Sequence, residues 1–167
     1  MYVLAAASPT HTIPAEVYDQ GWARNGDIKA NAEMYGFKIP VDHQGAKGSV
    51  GPLFWAHYSY LGLDPRGLKD RYADYGENNR NQTLIHRAYC IDNPKNYKGY
   101  GENAWGLTSS YSPKVYAGHS PNHDLGVISP TAALSSYPYT PKESMQVMRY
   151  LYEELGDKVW GKYGFYD

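Results

Sequence analysis

The chain has 167 residues, with 16 Lys+Arg against 17 Asp+Glu and a formal net charge of −1. That length fits one domain, and the charge balance leaves no basic footprint for nucleic acid and no acidic tail. A single cysteine, Cys90, excludes an internal disulfide and a cysteine-based zinc cluster, and no apolar run approaches the roughly 20 residues of a membrane-spanning helix.

In chain order, Met1–Ala7 reads as the last two turns of a helix stopped at Pro9; it has neither the basic start nor the apolar centre of a secretory signal. A short helix follows Pro14 through Val17 and Tyr18. Residues 23–50 read as a long loop. Gly51–Leu61 (GPLFWAHYSYL) is apolar on nearly all sides and is expected to form a buried helix. Asp64-Pro65 starts the next helix, which runs from about Leu68 through Tyr72, Tyr75, Leu84, Ile85 and Ala88 to Ile91, until Asn93-Pro94 stops it. Its middle, residues 77–83 (ENNRNQT), is polar and either lines a cavity or faces solvent. Residues 94–128 form a second long loop. Both loops exceed the roughly 12–15 residues usual for structureless connections, and their Trp, Tyr and His content points to ordered, functional segments.

Ser129-Pro130 opens a helix carrying Ala132, Ala133 and Leu134. Thr140-Pro141-Lys142-Glu143 opens the last one, with Thr at the N-cap, Pro at the first helical position and Glu at the capping-box position. Met145, Met148, Leu151, Tyr152 and Leu155 follow at helical spacing, and Gly156 closes the helix. Val, Ile and Thr never alternate over a useful length, so the expected class is all-α. The chain ends on the aromatic cluster Tyr163–Asp167, and both ends read as those of a piece cut from something larger.

Leu, Val, Ile and Phe together make only 28 of the 167 residues, whereas Tyr alone makes 18 and aromatics reach 15%. Tyr and Trp present a flat apolar face with a polar tip, the mixture that a sugar needs; the alternative is that Tyr replaces Leu in a polar-edged helical core. Within Tyr100–Thr108 (YGENAWGLT), a carboxylate, an amide and an indole fall inside four residues bracketed by glycines. Glu102 suits acid or base work, Asn103 bonding to hydroxyls, and Trp105 stacking on a ring; a tight turn with a buried Trp is the competing reading. His119-Ser120-Pro121-Asn122-His123-Asp124 is a polar loop, sugar-facing, metal-binding or plain. His57, beside Trp55 and Tyr58, is a ligand or a satisfied core histidine. Trp22 and Arg24 lie in Gly21–Gly26 (GWARNG). Cys90 reads as packing rather than as a nucleophile. There is no phosphate-binding loop, dinucleotide fingerprint, HExxH or GxSxG motif.

The runs 100–113 (YGENAWGLTSSYSP), 126–136 (GVISPTAALSS), 139–143 (YTPKE), 151–155 (LYEEL) and 160–167 (WGKYGFYD) resemble the glucoamylase-like glycoside hydrolases, a family that includes endo-β-1,2-glucanases. So do 6–11 (AASPTH), 20–24 (QGWAR), 51–54 (GPLF) and 87–93 (RAYCIDN). The resemblance implies an (α/α)6 toroid with a sugar cleft at one mouth. Twelve helices do not fit into 167 residues with long loops, so the expectation is an incomplete toroid. Residues 1–167 would form a single partial domain, the C-terminal part, completed by a missing N-terminal half. The implied partner is a glucan, β-1,2-linked, with no cofactor and no metal. The implied chemistry is inverting hydrolysis by two carboxyl groups, with Glu102 as the cleft carboxylate here and Asn103, Trp105, Tyr111, His57, Trp22, Arg24 and Asp124 as substrate-binding residues. The resemblance also implies a periplasmic or extracellular parent protein and a fragment that is inactive alone. A non-catalytic carbohydrate-binding module and an all-α interaction domain are the competing classes. Convergence of Glu102, Trp105 and His57 on one concave surface would favour the enzyme; an exposed Glu102 remote from the aromatics would favour an interaction domain.

Overall fold

Seven α-helical segments and three two-stranded antiparallel ribbons make up the computed structural model, which describes residues 1–42 and 48–166. Residues 43–47 of the first long loop lie outside the described residues, as does Asp167. Helix α1 (Tyr2–Ala6) and the short α2 (Ala15–Val17) form where expected, and α2 runs on into a π-turn at Tyr18–Trp22. The first long loop then contains a hairpin, β1 (Lys29–Met34) and β2 (Phe37–Val41). Its two-residue turn has Tyr35 at φ 53° and Gly36 at φ 78°. Two successive left-handed residues match the right-handed twist of the flanking strands, so a Tyr-Gly turn closes a ribbon that alternation alone does not reveal.

Helix α3 (Leu53–His57) continues as a 3-10 turn at Tyr58–Tyr60. It is buried on one side only, with Leu53, Ala56 and His57 inside and Phe54 and Tyr58 exposed, in place of the fully buried helix expected. The following helix starts a decade later than the sequence implied: α4 spans Tyr75–Asp92. Residues 64–74 stay out of the helix because short carboxylates capture backbone amides locally. Asp64 accepts from the Arg66 N–H, and Asp70 accepts from those of Tyr72 and Ala73. Asp74 then caps α4 by accepting from the Glu77 N–H, and Asn93, at φ 46°, ends it in the left-handed conformation just before Pro94.

The polar middle of α4 turns inward. Asn78, Asn79, Asn81, Gln82 and Thr83 are buried. Asn79 Nδ2 donates to the Ala56 carbonyl at 2.9 Å, and Asn81 Nδ2 donates to the Lys38 carbonyl at 3.2 Å. These amides pin α3 and the β1–β2 ribbon to α4, while Glu77 and Arg80 of the same stretch stay exposed. The second long loop carries another hairpin, β3 (Ser109–Tyr111) with β4 (Tyr116–Gly118).

Helices α5 (Pro130–Ser135) and α6 (Pro141–Glu153) begin at their prolines as expected. The Thr140 hydroxyl does not cap α6; it donates back to the Ser136 carbonyl and meets Ser144 Oγ at 3.2 Å. Accordingly α6 buries Ser144, Val147 and Leu151 rather than a stripe through Met145, Met148 and Tyr152. The face that packs against α5 brings Val147 and Leu151 into the core cluster with Ala132 and Ala133. Gly156 starts a further turn, α7 (Gly156–Val159), instead of closing α6, and β5 (Trp160–Gly161) with β6 (Gly164–Phe165) ends the described chain.

The main core joins α3, α4, α5 and α6 through Leu53, Tyr89, Cys90, Trp105, Leu107, Val147 and Leu151. Gly106, at φ 112°, lets the Trp105–Leu107 segment press against α5: a Cβ there would lie 2.9 Å from the Ala133 amide nitrogen. A second core lies around Ala23, Ile28, Val41, Ala73 and Tyr75. No helix among the described residues is long and apolar enough to cross a membrane.

Candidate functional site

Concave surface runs along the side of the molecule built by α1, the π-turn and the 58–75 segment. One cavity of about 600 Å³ lies between α1, α2 and Asp70-Arg71. A second, of about 400 Å³, is walled by Tyr18, Trp22, Tyr60 and Tyr75, with Asp70 and Lys69 at its side. A third, of about 460 Å³, lies between Tyr60–Arg66 and Pro138-Tyr139. Tyr18 and Asp70 belong to the first two, and Tyr60 to the last two, so the three form a chain.

Asp70 is the organising acid of this side. Its Oδ1 accepts from the amides of Tyr72 at 2.7 Å and Ala73 at 2.9 Å. Its Oδ2 accepts from the hydroxyls of Tyr75 at 2.7 Å and Tyr18. Trp22 Nε1 in turn donates to the Tyr75 hydroxyl at 3.0 Å. Burial opposes the Asp70 charge, but the two phenols and two amides outweigh it and hold the carboxyl below its usual range. Burial also pushes the Tyr75 phenol up to about 12, with Asp70 adding to the shift. The sequence reading placed Trp22 here but missed Tyr18, Tyr60, Asp70 and Tyr75 as one group. Their common signal, four side chains spread over 58 residues, has no local spacing to betray it.

The sequence-predicted residues do not assemble around one cavity. Glu102 and Asn103 sit at the exposed tip of a tight turn closed by reciprocal backbone hydrogen bonds between Gly101 and Ala104. The Glu102 side chain is 68% exposed and its Oε1 lies 4.0 Å from Arg87 Nη2. Trp105, just behind the turn, is 0% exposed inside the main core, so its ring has no face open to a ligand. His57 is buried too, its ring stacked on Tyr139 at 5.0 Å and its Nδ1 3.3 Å from Ser135 Oγ, as for a satisfied core histidine. Tyr111 lies on the β3–β4 hairpin, 79% exposed and edge-on to Tyr116. Arg24, at φ 48°, grips the buried Asp42 with both carboxylate oxygens 2.8 Å from Nη2. Trp22 alone of this set walls one of the three cavities.

Asp124 is 1% exposed and faces inward. It accepts from the hydroxyls of Tyr89 at 3.0 Å and Tyr100 at 2.8 Å and from the Gly126 amide at 2.9 Å. Its own carbonyl accepts from Lys95 Nζ at 2.7 Å. Its position makes it the anchor of the second long loop, closed to substrate. The neighbouring His119 is fully buried, and Ser120 and His123 close a small backbone bridge, so this stretch is a folded loop. Cys90 is buried in the main core, and burial pushes its thiol up to about 12, which keeps it protonated and inert at neutral pH. Among the described residues, no group of three or more His, Cys, Asp or Glu is placed to hold a metal ion.

A carboxyl that protonates a leaving group needs a raised pKa. The cavity-lining acids go the other way or are paired. Asp64 is held down at about 2 by Arg66, Asp70 is held down by its four donors, and Asp19 is bonded to Arg71. What these cavities offer is aromatic and hydroxyl surface rather than proton chemistry.

An endo-β-1,2-glucanase from Chitinophaga pinensis, described in complex with sophorotriose and glucose, superposes with a TM-score of 0.94 at 64% identity, covering 99% of this chain and 40% of that one. A protein from Bacteroides uniformis described as a putative glucoamylase superposes with a TM-score of 0.90 at 60% identity, again over 99% of this chain and 40% of that one. An exo β-1,2-glucooligosaccharide sophorohydrolase from Parabacteroides distasonis is 39% identical over 99% of this chain and 25% of its own length. The chain thus spans between a quarter and two-fifths of these relatives. With residues 1–167 matching in full the family described as "Putative glucoamylase", the chain belongs to the Glycoamylase family.

Proposed function

We propose that this chain is the C-terminal, sugar-binding part of a β-1,2-glucan hydrolase whose remaining helices complete an (α/α)6 toroid. The observation that carries the reading is the 64% identity, over 99% of the chain, to a protein described as an endo-β-1,2-glucanase. The helices α3 to α6 around one core are then a segment of the ring, and the aromatic cavities are stretches of its cleft. Cleavage proceeds by carboxylate acid/base catalysis with inversion. The acid and base flank the scissile bond about 6.5–9.5 Å apart. Glu102, solvent-open beside Arg87 and outside the three cavities, is the carboxylate of this chain assigned to that pair on the family resemblance. Its partner carboxylate comes from the rest of the ring. Glu102, Trp105 and His57 do not converge on one concave surface, the arrangement expected of a self-sufficient enzyme, so the reading rests on the likeness to the glucanases and not on these three residues.

The test is a chimera in which this chain replaces the matching segment of the Chitinophaga pinensis enzyme. The expected result is release of short oligosaccharides from β-1,2-glucan by the chimera and none by the 167-residue chain alone. A folded chimera without glucanase activity overturns the proposal, as does glucan cleavage by the isolated chain.

A further inference from the structure

The cavity of about 600 Å³ is an apolar groove between two short helices. Val3, Ala6 and Ala7 line it from the α1 side, and Ile13, Pro14 and Ala15 from the α2 side. Tyr2 and Tyr18 also line it, edge to face with ring centroids 6.0 Å apart. Its charged members are engaged: Arg71 pairs with Asp19, and Asp70 accepts from four donors. Helix α1 adds a second observation. Its sequence, YVLAA, is apolar throughout, yet none of its residues is buried, and Leu4 is 69% exposed. Tyr2 ties the helix down, its hydroxyl filling the space that a Cβ on Gly21 would need. The rest of α1, and Val17 of α2, stay open. A helix apolar on all sides belongs in an interior, and contiguous exposed apolar surface marks a place where something packs.

A second copy of this chain is a poor occupant. At 1.5 Å per residue α1 is about 7.5 Å long, too short to supply the roughly 800 Å² that each partner of a stable free-standing complex buries. A helix carried by the same polypeptide needs no such area, because its connection holds it at high effective concentration. The Chitinophaga pinensis glucanase has such helices to offer only outside the matched part, and this chain covers 40% of it.

We propose that the groove between α1 and α2 seats an apolar helix from the part of the enzyme that this chain does not span, with Val3, Ala6, Ile13 and Ala15 in the contact. The inference rests on the function proposed above, in which further helices complete the ring. The side of the helix facing the groove is apolar, as the groove is.

The test reads thiol accessibility at Ala6→Cys and Ala15→Cys, one from each side of the groove and both exposed. The native Cys90 stays silent, buried in the main core with its thiol pushed up to about 12. Each cysteine is placed in the 167-residue chain and in the chimera described above, and its rate with a maleimide is read against the same protein without it. Both positions are expected to react in the isolated chain. In the chimera they are expected to react at least about tenfold more slowly, because reaction waits on opening of the covered groove. Lys114→Cys, exposed in the β3–β4 turn, is expected to react alike in both. A second measurement needs no chimera: Nile red, a neutral apolar dye, is expected to fluoresce on the isolated chain and to lose most of that signal in Ala15→Glu.

Equal rates in chain and chimera at Ala6→Cys and Ala15→Cys overturn the proposal, as does a Nile red signal unchanged in Ala15→Glu. Equal protection at Lys114→Cys reduces the effect to general occlusion and overturns it too. Protection in the isolated chain that deepens with its concentration gives the groove to a second copy instead. An active chimera with both groove cysteines reactive keeps the hydrolase and discards the docking site; a folded, inactive chimera with both protected does the reverse.

Discussion

Two tyrosine–aspartate clusters in this molecule share their chemistry and differ in what covers them. Asp124 receives the Tyr89 and Tyr100 hydroxyls and a backbone amide. Asp70 receives the Tyr18 and Tyr75 hydroxyls and two backbone amides. Around Asp124 the rings are wrapped by the 94–126 loop and the carboxylate is sealed; around Asp70 the rings form the wall of two cavities and the carboxylate is half-buried. The same bonding therefore anchors a loop in one place and shapes a concave surface in the other. Burial pushes the phenol pKa values of Tyr89 and Tyr100 far up, with the hydrogen bond to Asp124 adding to it, and does the same to Tyr18 beside Asp70. All four phenols remain donors at neutral pH.

The contrast between a sealed and an open side can be broken by experiment. The largest effect is expected from acid. His86 is fully buried, with Nε2–H directed at the Gly51 carbonyl at 2.8 Å and Nδ1 placed to accept from the Leu107 amide at 3.4 Å, the tautomer being assigned from these partners. Burial lowers its pKa to about 3 from 6.5. The unfolded chain then binds one more proton than the folded one between those values. Stability is expected to fall as pH drops from about 6.5 toward 3, at up to about 1.4 kcal/mol per pH unit. Urea unfolding at a series of pH values checks this, and His86→Gln is expected to flatten the slope between pH 6.5 and 4. A slope that survives the substitution removes His86 as its source.

Next in size, Asp124→Ala strands two buried phenols and an amide, and is expected to cost about 3–4 kcal/mol in the same assay. Asp70→Ala strands two phenols and two amides, one donor more, but beside an open cavity where water replaces the carboxylate, and is expected to cost about 1–2 kcal/mol. Equal losses at the two positions would mean that the cavity is closed in solution. The smallest effect is expected at Tyr111, exposed on its hairpin: Tyr111→Ser should change stability by less than about 0.5 kcal/mol.

Prolines in the chain guide three helix boundaries correctly, whereas the start of α4 and the end of α6 lie elsewhere than expected. Pro130, Pro141 and Asn93-Pro94 mark boundaries that the structure keeps. Local chemistry was a poor guide to the ribbons, because β1–β2 depends on a Tyr-Gly turn with two left-handed residues and not on alternating Val and Ile. It also overextended α4, since Asp64-Pro65 reads as a helix start while Asp64 and Asp70 in fact accept from loop amides. Among the candidate residues, the turn at Glu102-Asn103 was legible as a turn. Nothing local distinguished Trp105 as core from Trp22 as cavity wall, for both indoles sit beside glycine.

Composition and motif order by themselves determined a tyrosine-rich, mainly helical chain of the Glycoamylase family. Only the tertiary structure decided which acid meets which ring. Tyr18 and Asp70 are 52 residues apart, and Tyr89 and Asp124 are 35 apart. Whether such a pair is sealed or lines a cavity depends on the segments folded over it, a property of burial that no short stretch of sequence carries.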